Sequence, residues 1–382
     1  MRRVPRRGGG PARRQRRPPH CPHRQRLRRC LGRTDPAHGG SAGGQRRLTW
    51  RPLPRAPRNR PGAGARWARH RGRVPKGAIL MSDITAALHL DAILTHRTAR
   101  TAAIRDVLQP GGTRPPSIEH AVLAYALAHH QLEGAEAAAH RRDSSALAWY
   151  RADASHDLMR LTLDTGLGPR IVVAPPGDQM IRTPLAETPY YVLGRDTAPA
   201  AAHLAALASS AFAHTDEAGL GGLTASHAAV VCLTGHRSPD QIVRNFTITR
   251  LPATIFTDHI GDPLVLGRDL VHEAAHNWLN DALAALQITI PEAVFFSPWR
   301  NTERPAFGFL HACFAFPLTA IYTAHALPAA SGPARTVLAD HLRQQRSHLA
   351  RTDDDFAQVL KLIDHEDLRQ RLEAVYHYAR TL

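Results

Sequence analysis

Cysteine is scarce in this chain, with four among 382 residues. The four are Cys21, Cys30, Cys232 and Cys313, and their spacing shows no pairing pattern. A disulfide-stabilised scaffold is therefore excluded, and a reducing cytoplasm is the expected compartment. We also find no secretory signal and no apolar run near the roughly 18 residues that a membrane helix needs. We therefore expect no membrane-spanning segment.

Acidic residues are nearly missing from residues 1–80. This stretch holds 24 of the 49 Lys and Arg side chains but only one of the 32 acidic ones, Asp35, so its net charge is +23. Because such Arg-, Pro- and Gly-rich sequence cannot bury enough apolar surface, we expect it to be disordered and Met81 to be the true start. The other 302 residues hold 25 basic and 31 acidic groups, a net charge of −6. The overall charge of +17 therefore does not predict a nucleic-acid partner.

The order of sequence patterns predicts the fold class. Helices are expected at 83–109, from Ser117 to about 142, and from 144 to about 165. Short β-branched or aromatic runs predict strands at 170–174, 190–193, 230–233, 246–249 and 254–257. Helical patterns return at 263–286, 305–326, 333–350 and 355–380. The prediction is an α+β, mostly helical protein: an N-terminal helical region (81–169), then a metal-site domain (170–382) with a small central sheet, a metal-binding helix and a C-terminal helical bundle.

The strongest motif lies in the helix that follows Asp262. An Asp cap followed by Pro263 at the first helical position favours a helix start. Inside this apolar helix, His272 and His276 are four residues apart, so both rings project from one face and can bind one divalent ion. Glu273 lies about 100° round the helix, close enough to reach a metal-bound water. Because unpaired polar groups are costly to bury, metal is the simplest partner for all three.

A third protein ligand must come from another segment, because two histidines do not complete a site. Pro305 predicts the start of a second helix, and His311 is its one strongly polar group among Phe, Leu, Ala and Cys. His311 is therefore the preferred third ligand. Glu292 and Glu303 are the alternatives, since two histidines and one carboxylate would suit zinc proteases or non-heme iron.

Two arginines follow the metal helix. Arg300 and Arg304 could form bidentate pairs with the carboxylates of an anionic co-substrate. The alternative is a structural salt bridge from either arginine to Glu303 or Asp281.

Several short motifs within roughly 265–322 together suggest a family. They are His272-Glu273-Ala274-Ala275-His276, Pro298-Trp299-Arg300, Arg304-Pro305, Leu310-His311 and Ala315-Phe316. This set resembles the HExxH-motif peptide-modification family, which occurs with clusters for ribosomally made, modified peptides. Some members are similar to 2-oxoglutarate-dependent iron enzymes that hydroxylate the β-carbon of a residue in a precursor peptide.

The resemblance implies roles for the residues at matching positions. The iron ligands would be His272, His276 and His311. Arg300 or Arg304 would hold the 2-oxoglutarate carboxylate, and Glu273 would handle a proton or support a ligand. The implied partners are a precursor peptide and dioxygen, with no nucleic acid or membrane. Two alternatives stay open: a zinc metallopeptidase with Glu273 as general base, and a non-catalytic binding module stabilised by metal.

Overall fold

The computed structural model describes residues 81–110, 120–152, 154–183 and 186–382. The predicted disorder of residues 1–80 lies outside the described residues. So does Ser117, the predicted start of the second helix.

Five helices make up the first part of the described chain. They are α1 (Met81–Ala87), α2 (Asp91–Leu108), α3 (Ala121–Arg141), α4 (Ser144–Arg151) and α5 (Ala154–Met159). Two predicted spans were too long. The span 144–165 divides into α4, α5 and a strand that begins at Thr162. The span 83–109 breaks between α1 and α2.

The break between α1 and α2 has a tertiary cause. Trp278 Nε1 donates to the carbonyl of Leu88 at 2.8 Å. Arg371 donates to the carbonyl of Ala87 at 3.1 Å and also to that of His89. Because these donors satisfy carbonyl groups that a continuous helix would use, the chain turns here at little cost in hydrogen bonds. Neither donor is visible in the local sequence.

A five-stranded mixed sheet lies at the centre. Its strands, in spatial order, are β1 (Thr162–Asp164), β2 (Pro169–Val173), β5 (Val230–His236), β7 (Thr254–His259) and β6 (Asn245–Phe246). Strands β2, β5 and β7 are parallel, while β1 and β6 pair antiparallel at the two edges. The parallel strands are buried, as a parallel sheet covered on both faces requires.

The predicted strands 190–193 and 246–249 were largely wrong. Each overlaps a strand by a single residue, Tyr190 in the first case and Phe246 in the second. Residues 191–193 are buried without joining the sheet. Burial rather than strand pairing explains their apolar character.

Segments that the sequence did not predict connect the strands. They are the hairpin β3 (Ile181–Thr183) and β4 (Ala186–Tyr190), and the helices α6 (Ala202–Glu217) and α7 (Gly221–His227). The helices lie in the crossover between the parallel strands β2 and β5. A parallel connection needs such a crossover, usually a helix.

The chain ends in helices joined by one further hairpin. These elements are α8 (Pro263–Ala285), β8 (Val294–Ser297), β9 (Thr302–Pro305), α9 (Ala306–Ala326), α10 (Gly332–Leu349), α11 (Asp353–Leu360) and α12 (Glu366–Thr381). The predicted helix 355–380 is divided, because His365 caps α12 by accepting a hydrogen bond from Leu368 N at 3.1 Å. The predicted α+β, mostly helical class with a small central sheet and C-terminal helices is confirmed.

Helix α9 corrects the expectation that no apolar run approaches the length of a membrane helix. Its 21 residues are long and apolar enough, by length and composition, to cross a membrane. Within the fold, however, 83% of its most apolar stretch is buried. Its core side chains include Phe309, Leu310 and Phe314, each at most 2% exposed. Since a core helix meets the same criteria, this helix is weak evidence for a membrane span.

Candidate metal centre

Helix α8 begins as the sequence predicts. Asp262 Oδ1 accepts hydrogen bonds from the backbone N–H groups of Leu264 at 2.9 Å and Val265 at 3.1 Å. Pro263 occupies the first turn. The helix is buried on most sides, which fixes its rotation and therefore the direction in which its histidines project.

The two histidines of α8 meet closely. The Nε2 atoms of His272 and His276 are 3.1 Å apart, and the two rings pack edge to face. Glu273 joins them, so that one donor atom from each of the three residues lies within 4.8 Å of the others. We call these three residues the metal cluster. Their donor set, two imidazoles and a carboxylate, could hold a divalent ion.

Glu273 is nearly inaccessible to solvent. It is 1% exposed, and its Oε2 has no hydrogen-bond partner among the described residues. Its Oε1 lies 3.9 Å from His272 Nε2. Burial and the neighbouring Asp269 carboxylate raise the pKa of Glu273 well above its usual value. A buried carboxyl oxygen without a partner is a costly group that a bound cation would satisfy.

Burial keeps the imidazoles in the form that binds metal. It lowers the pKa of His272 well below the usual value, with a further contribution from His276. It lowers the pKa of His276 to about 4, assisted by the positive charge of Arg304. Both rings are therefore neutral near pH 7. The neutral imidazole is the ligand form, since a protonated ring has no free lone pair.

His311 lies beside the metal cluster but contacts it from another side. Its Nδ1 is 3.0 Å from Nδ1 of His276, whereas His276 turns Nε2 toward His272. One ion cannot use both nitrogens of the same ring, so in this arrangement an ion held by His272 and His276 would not reach His311. The Nε2 of His311 is buried without a hydrogen-bond partner in the described part of the chain. A turn of either ring would be needed for the predicted three-histidine set.

The two alternative third ligands lie outside the metal cluster. Glu292 precedes β8 and Glu303 is on β9, and both side chains are exposed. The structure instead groups the two histidines with Glu273, which comes from within the motif itself.

Arg300 and Arg304 lie on the β8–β9 hairpin. Arg304 is on β9, and Arg300 is in the turn before it. The positive charge of Arg304 contributes to the lowered pKa of His276 and of His311, and that of Arg300 contributes to the lowered pKa of His272. Both guanidinium groups therefore lie near the histidines, and their charges act on different members of the group.

A structural salt bridge does not account for either arginine. Asp281 pairs with Arg97, whose Nε is 2.9 Å from Asp281 Oδ2. Glu303 faces Phe296 across the hairpin, and both side chains are exposed. Within the described ranges, no carboxylate forms an ion pair with Arg300 or Arg304. Two cationic groups near a metal cluster are thus left for an anion.

Aromatic rings form one wall beside the histidines. The ring of Phe316 is 4.8 Å from that of His272, and Trp299 stacks on Phe316 at 4.9 Å. Trp299 and Phe316 belong to the motifs that suggested the family, but the sequence did not predict their contact. Phe307 adds a ring 4.4 Å from that of His311.

A hydrogen-bonded series extends from this wall into α10. Trp299 Nε1 donates to Gln345 Oε1 at 2.7 Å, and Gln345 Nε2 approaches His341 Nδ1 at 3.5 Å. His341 Nε2 lies 3.1 Å from Thr319 Oγ1. Sequence reasoning missed His341 and Gln345. The one available signal was their spacing of four residues, which places two polar groups on one face of a helix.

A scan against protein-family models finds no match, and a search of curated proteins finds none either. The resemblance to the HExxH-motif peptide-modification family therefore stays a prediction based on the motifs alone.

Proposed function

We propose that this chain is an Fe(II)- and 2-oxoglutarate-dependent hydroxylase that acts on a ribosomally made precursor peptide. The observation that carries the proposal is the grouping of His272, His276 and Glu273 within 4.8 Å, near two arginines that no carboxylate among the described residues pairs. Two histidines and one carboxylate are the donor set of many non-heme iron oxygenases. A nearby guanidinium suits a dicarboxylate co-substrate.

The chain's own residues would hold the iron and the keto acid. The metal cluster would ligate Fe(II), which with 2-oxoglutarate supplies the oxidising chemistry that hydroxylates a carbon of the peptide. His311 would keep the His276 ring in place through their 3.0 Å contact. Arg304 is the preferred partner of the 2-oxoglutarate carboxylate, because its charge acts on both His276 and His311.

Water exclusion would come from the aromatic wall. Trp299 and Phe316 stack with an interplanar angle of 7°, and Phe316 contacts His272. A dry surrounding strengthens the pairing of Arg304 with an anion and protects a reactive centre from side reactions.

Exposed apolar side chains near the site would receive the peptide. Val294 and Phe296 on β8 are 62% and 41% exposed, and Phe307 at the start of α9 is 37% exposed. Among the described residues, β8 pairs with β9 alone, so its other edge has no strand partner there. Such an edge can bind a peptide by main-chain hydrogen bonds.

The second candidate is a zinc metallopeptidase, which the order His-Glu-x-x-His favours. In that mechanism Glu273 takes a proton from the metal-bound water. The burial of Glu273, with 1% exposed, is unfavourable for a base that must work in an open cleft.

Anaerobic purification followed by metal analysis and a succinate assay tests the proposal. We expect one Fe(II) per chain after reconstitution and succinate release from 2-oxoglutarate, with His325→Ala as an exposed control on α9 and His272→Ala as the negative variant. Zinc that co-purifies, with peptide cleavage and no use of 2-oxoglutarate, would establish the peptidase. Stable metal binding without either activity would support the third alternative, a non-catalytic binding module.

A further inference from the structure

A cavity of about 650 Å³ opens at the carboxyl ends of the parallel strands. It is lined by residues that follow or end β2, β5 and β7, and by the first two turns of α6. No member of the metal cluster lines it. In open α/β sheets, ligands bind outside the carboxyl ends of the strands, and this volume suits a small organic molecule.

Three histidines lie around this cavity on three separate elements. His259 ends β7, His236 ends β5, and His203 lies in the first turn of α6. The rings of His236 and His259 pack edge to face with centroids 5.4 Å apart. We call these three residues the cavity histidines.

His259 is the buried member of the cavity histidines. It is 8% exposed, and its Nδ1 has no hydrogen-bond partner in the part of the chain that the structure describes. His236 and His203 are exposed at the rim. That nitrogen is itself closed to solvent, so a ligand in the cavity would meet the accessible part of the His259 ring.

The N-terminus of α6 lies beside the same cavity. This 16-residue helix has Ala201 as its N-cap, so no side chain caps its first N–H groups. Its first turns supply His203, Leu204 and Leu207 to the lining. The start of α8 differs, because Asp262 already accepts from its first N–H groups. A free helix N-terminus carries partial positive charge and attracts anions.

No carboxylate among the described residues lines the cavity. Asp258, which precedes the lining residue His259, accepts hydrogen bonds from Thr234 Oγ1 at 2.8 Å and from Arg237 Nε at 2.8 Å. The cavity histidines do not form a compact metal set either, since the metal cluster is the one such group in the described ranges. The surroundings therefore favour an anion over a cation.

The size and lining specify the rest of the ligand. Leu204, Leu207 and Leu233 give the cavity an apolar side. A bare inorganic ion would leave most of 650 Å³ unfilled. From the cavity, its buried histidine and the uncapped helix, we propose a second binding site, for a small organic anion whose carboxylate or phosphate lies at the N-terminus of α6 against His259.

Titration of the full chain with three probes of equal apolar length tests the site. The probes are pentanoate, butyl phosphate and butylamine, each with a four-carbon tail, and binding is measured by calorimetry and by histidine-ring NMR. We expect one of the two anions to bind at one site per chain and to shift the His259 ring signals, and butylamine not to bind. The better anion also identifies the head group.

Variants keep the test falsifiable. His259→Phe retains a buried ring but removes both nitrogens, and we expect it to weaken anion binding at least 10-fold, while the exposed control His377→Phe binds as the wild type does. Arg304→Ala should keep this site, which separates it from the proposed co-substrate site. Wild-type binding of neither anion, equal binding of butylamine, or undiminished binding by His259→Phe would each overturn the proposal.

Discussion

The metal cluster and the cavity histidines bring histidine rings together in different ways. His272 and His276 come from adjacent turns of one helix, and their Nε2 atoms are 3.1 Å apart. His236 and His259 come from the ends of two strands, and their ring centroids are 5.4 Å apart beside an open cavity. The compact arrangement suits a single ion, whereas the spread arrangement suits a larger molecule that several donors contact at once.

The two sites also differ in the charge that surrounds them. Near the metal cluster, Glu273 and Asp269 are both buried, each with a carboxylate oxygen that no described residue pairs. A cation relieves such a pair of acidic groups. Around the cavity, the described lining contains no carboxylate and includes an uncapped helix start. The histidines of the two sites are thus expected to bind ligands of opposite charge.

Removing a histidine of the metal cluster should have the largest effect. His272→Ala and His276→Ala are each expected to abolish metal binding, because a site with few protein ligands loses most of its affinity with any one of them. Metal content per chain and competition with a chelator measure this. The exposed His325→Ala, on α9, should bind metal normally. Full metal retention by His272→Ala would remove the basis of the proposed function.

Arg304→Ala should keep its iron but require far more 2-oxoglutarate. Removing the partner of a buried co-substrate carboxylate costs about 2–5 kcal/mol, which corresponds to a rise in KM of roughly 30-fold or more. The rate of succinate release against 2-oxoglutarate concentration gives this value, with the exposed Arg346→Ala on α10 as the matched control. If Arg300→Ala shows the effect instead, the co-substrate carboxylate lies nearer His272 than His276.

His311→Ala distinguishes a ligand from a supporting residue. Since His311 reaches only the far nitrogen of His276, we expect a loss of metal affinity on the order of 10–100-fold, as for residues that orient a ligand. Glu273→Ala, which removes a member of the metal cluster, should lose more. Isothermal titration of the two variants side by side decides between the donor sets. Complete loss in His311→Ala with full binding by Glu273→Ala would restore the three-histidine set that the sequence predicted.

Helix α8 was predictable because the residues that set its start and its histidine face are close together in the sequence. Asp262 and Pro263 set its start, and the spacing of four residues places His272 and His276 on one face. The approach of His311 and Arg304 to that face depends on the packing of α9 and the hairpin, yet the motif order indicated it. The sequence does not indicate which nitrogen of His276 faces His272 and which faces His311.

The cavity was not predictable from the sequence, because the residues that line it are far apart in the chain. His203, His236 and His259 are separated by 33 and 23 positions, and nothing in their spacing relates them. They meet because parallel strands end at the same edge and α6 packs across it. Helix α6 itself was missed, since its Ala-rich sequence, without a side-chain cap, gave no recognised start signal.

His130 offers a comparison with both sites, because it is a buried histidine with its hydrogen bonds satisfied. Its Nε2 lies 3.1 Å from Thr254 Oγ1, and its Nδ1 accepts from Leu193 N at 3.2 Å. Burial lowers the pKa of His130 to about 3, so the folded protein keeps this ring neutral. The unfolded chain takes up the proton near pH 6.5.

The smallest expected effect is the contribution of His130 to acid stability. This contribution is fully present above pH 6.5 and is lost as the pH falls toward 3, by about 1.4 kcal/mol per pH unit in the free energy of unfolding. The His130→Gln side chain cannot titrate. We therefore expect this variant to lower the slope of the unfolding free energy against pH by the amount that one bound proton contributes. Urea denaturation between pH 7 and 4 measures it, with the exposed His140→Gln on the same helix α3 as control. An unchanged slope in His130→Gln would mean that this ring is already protonated in the folded protein, and that burial does not hold it neutral.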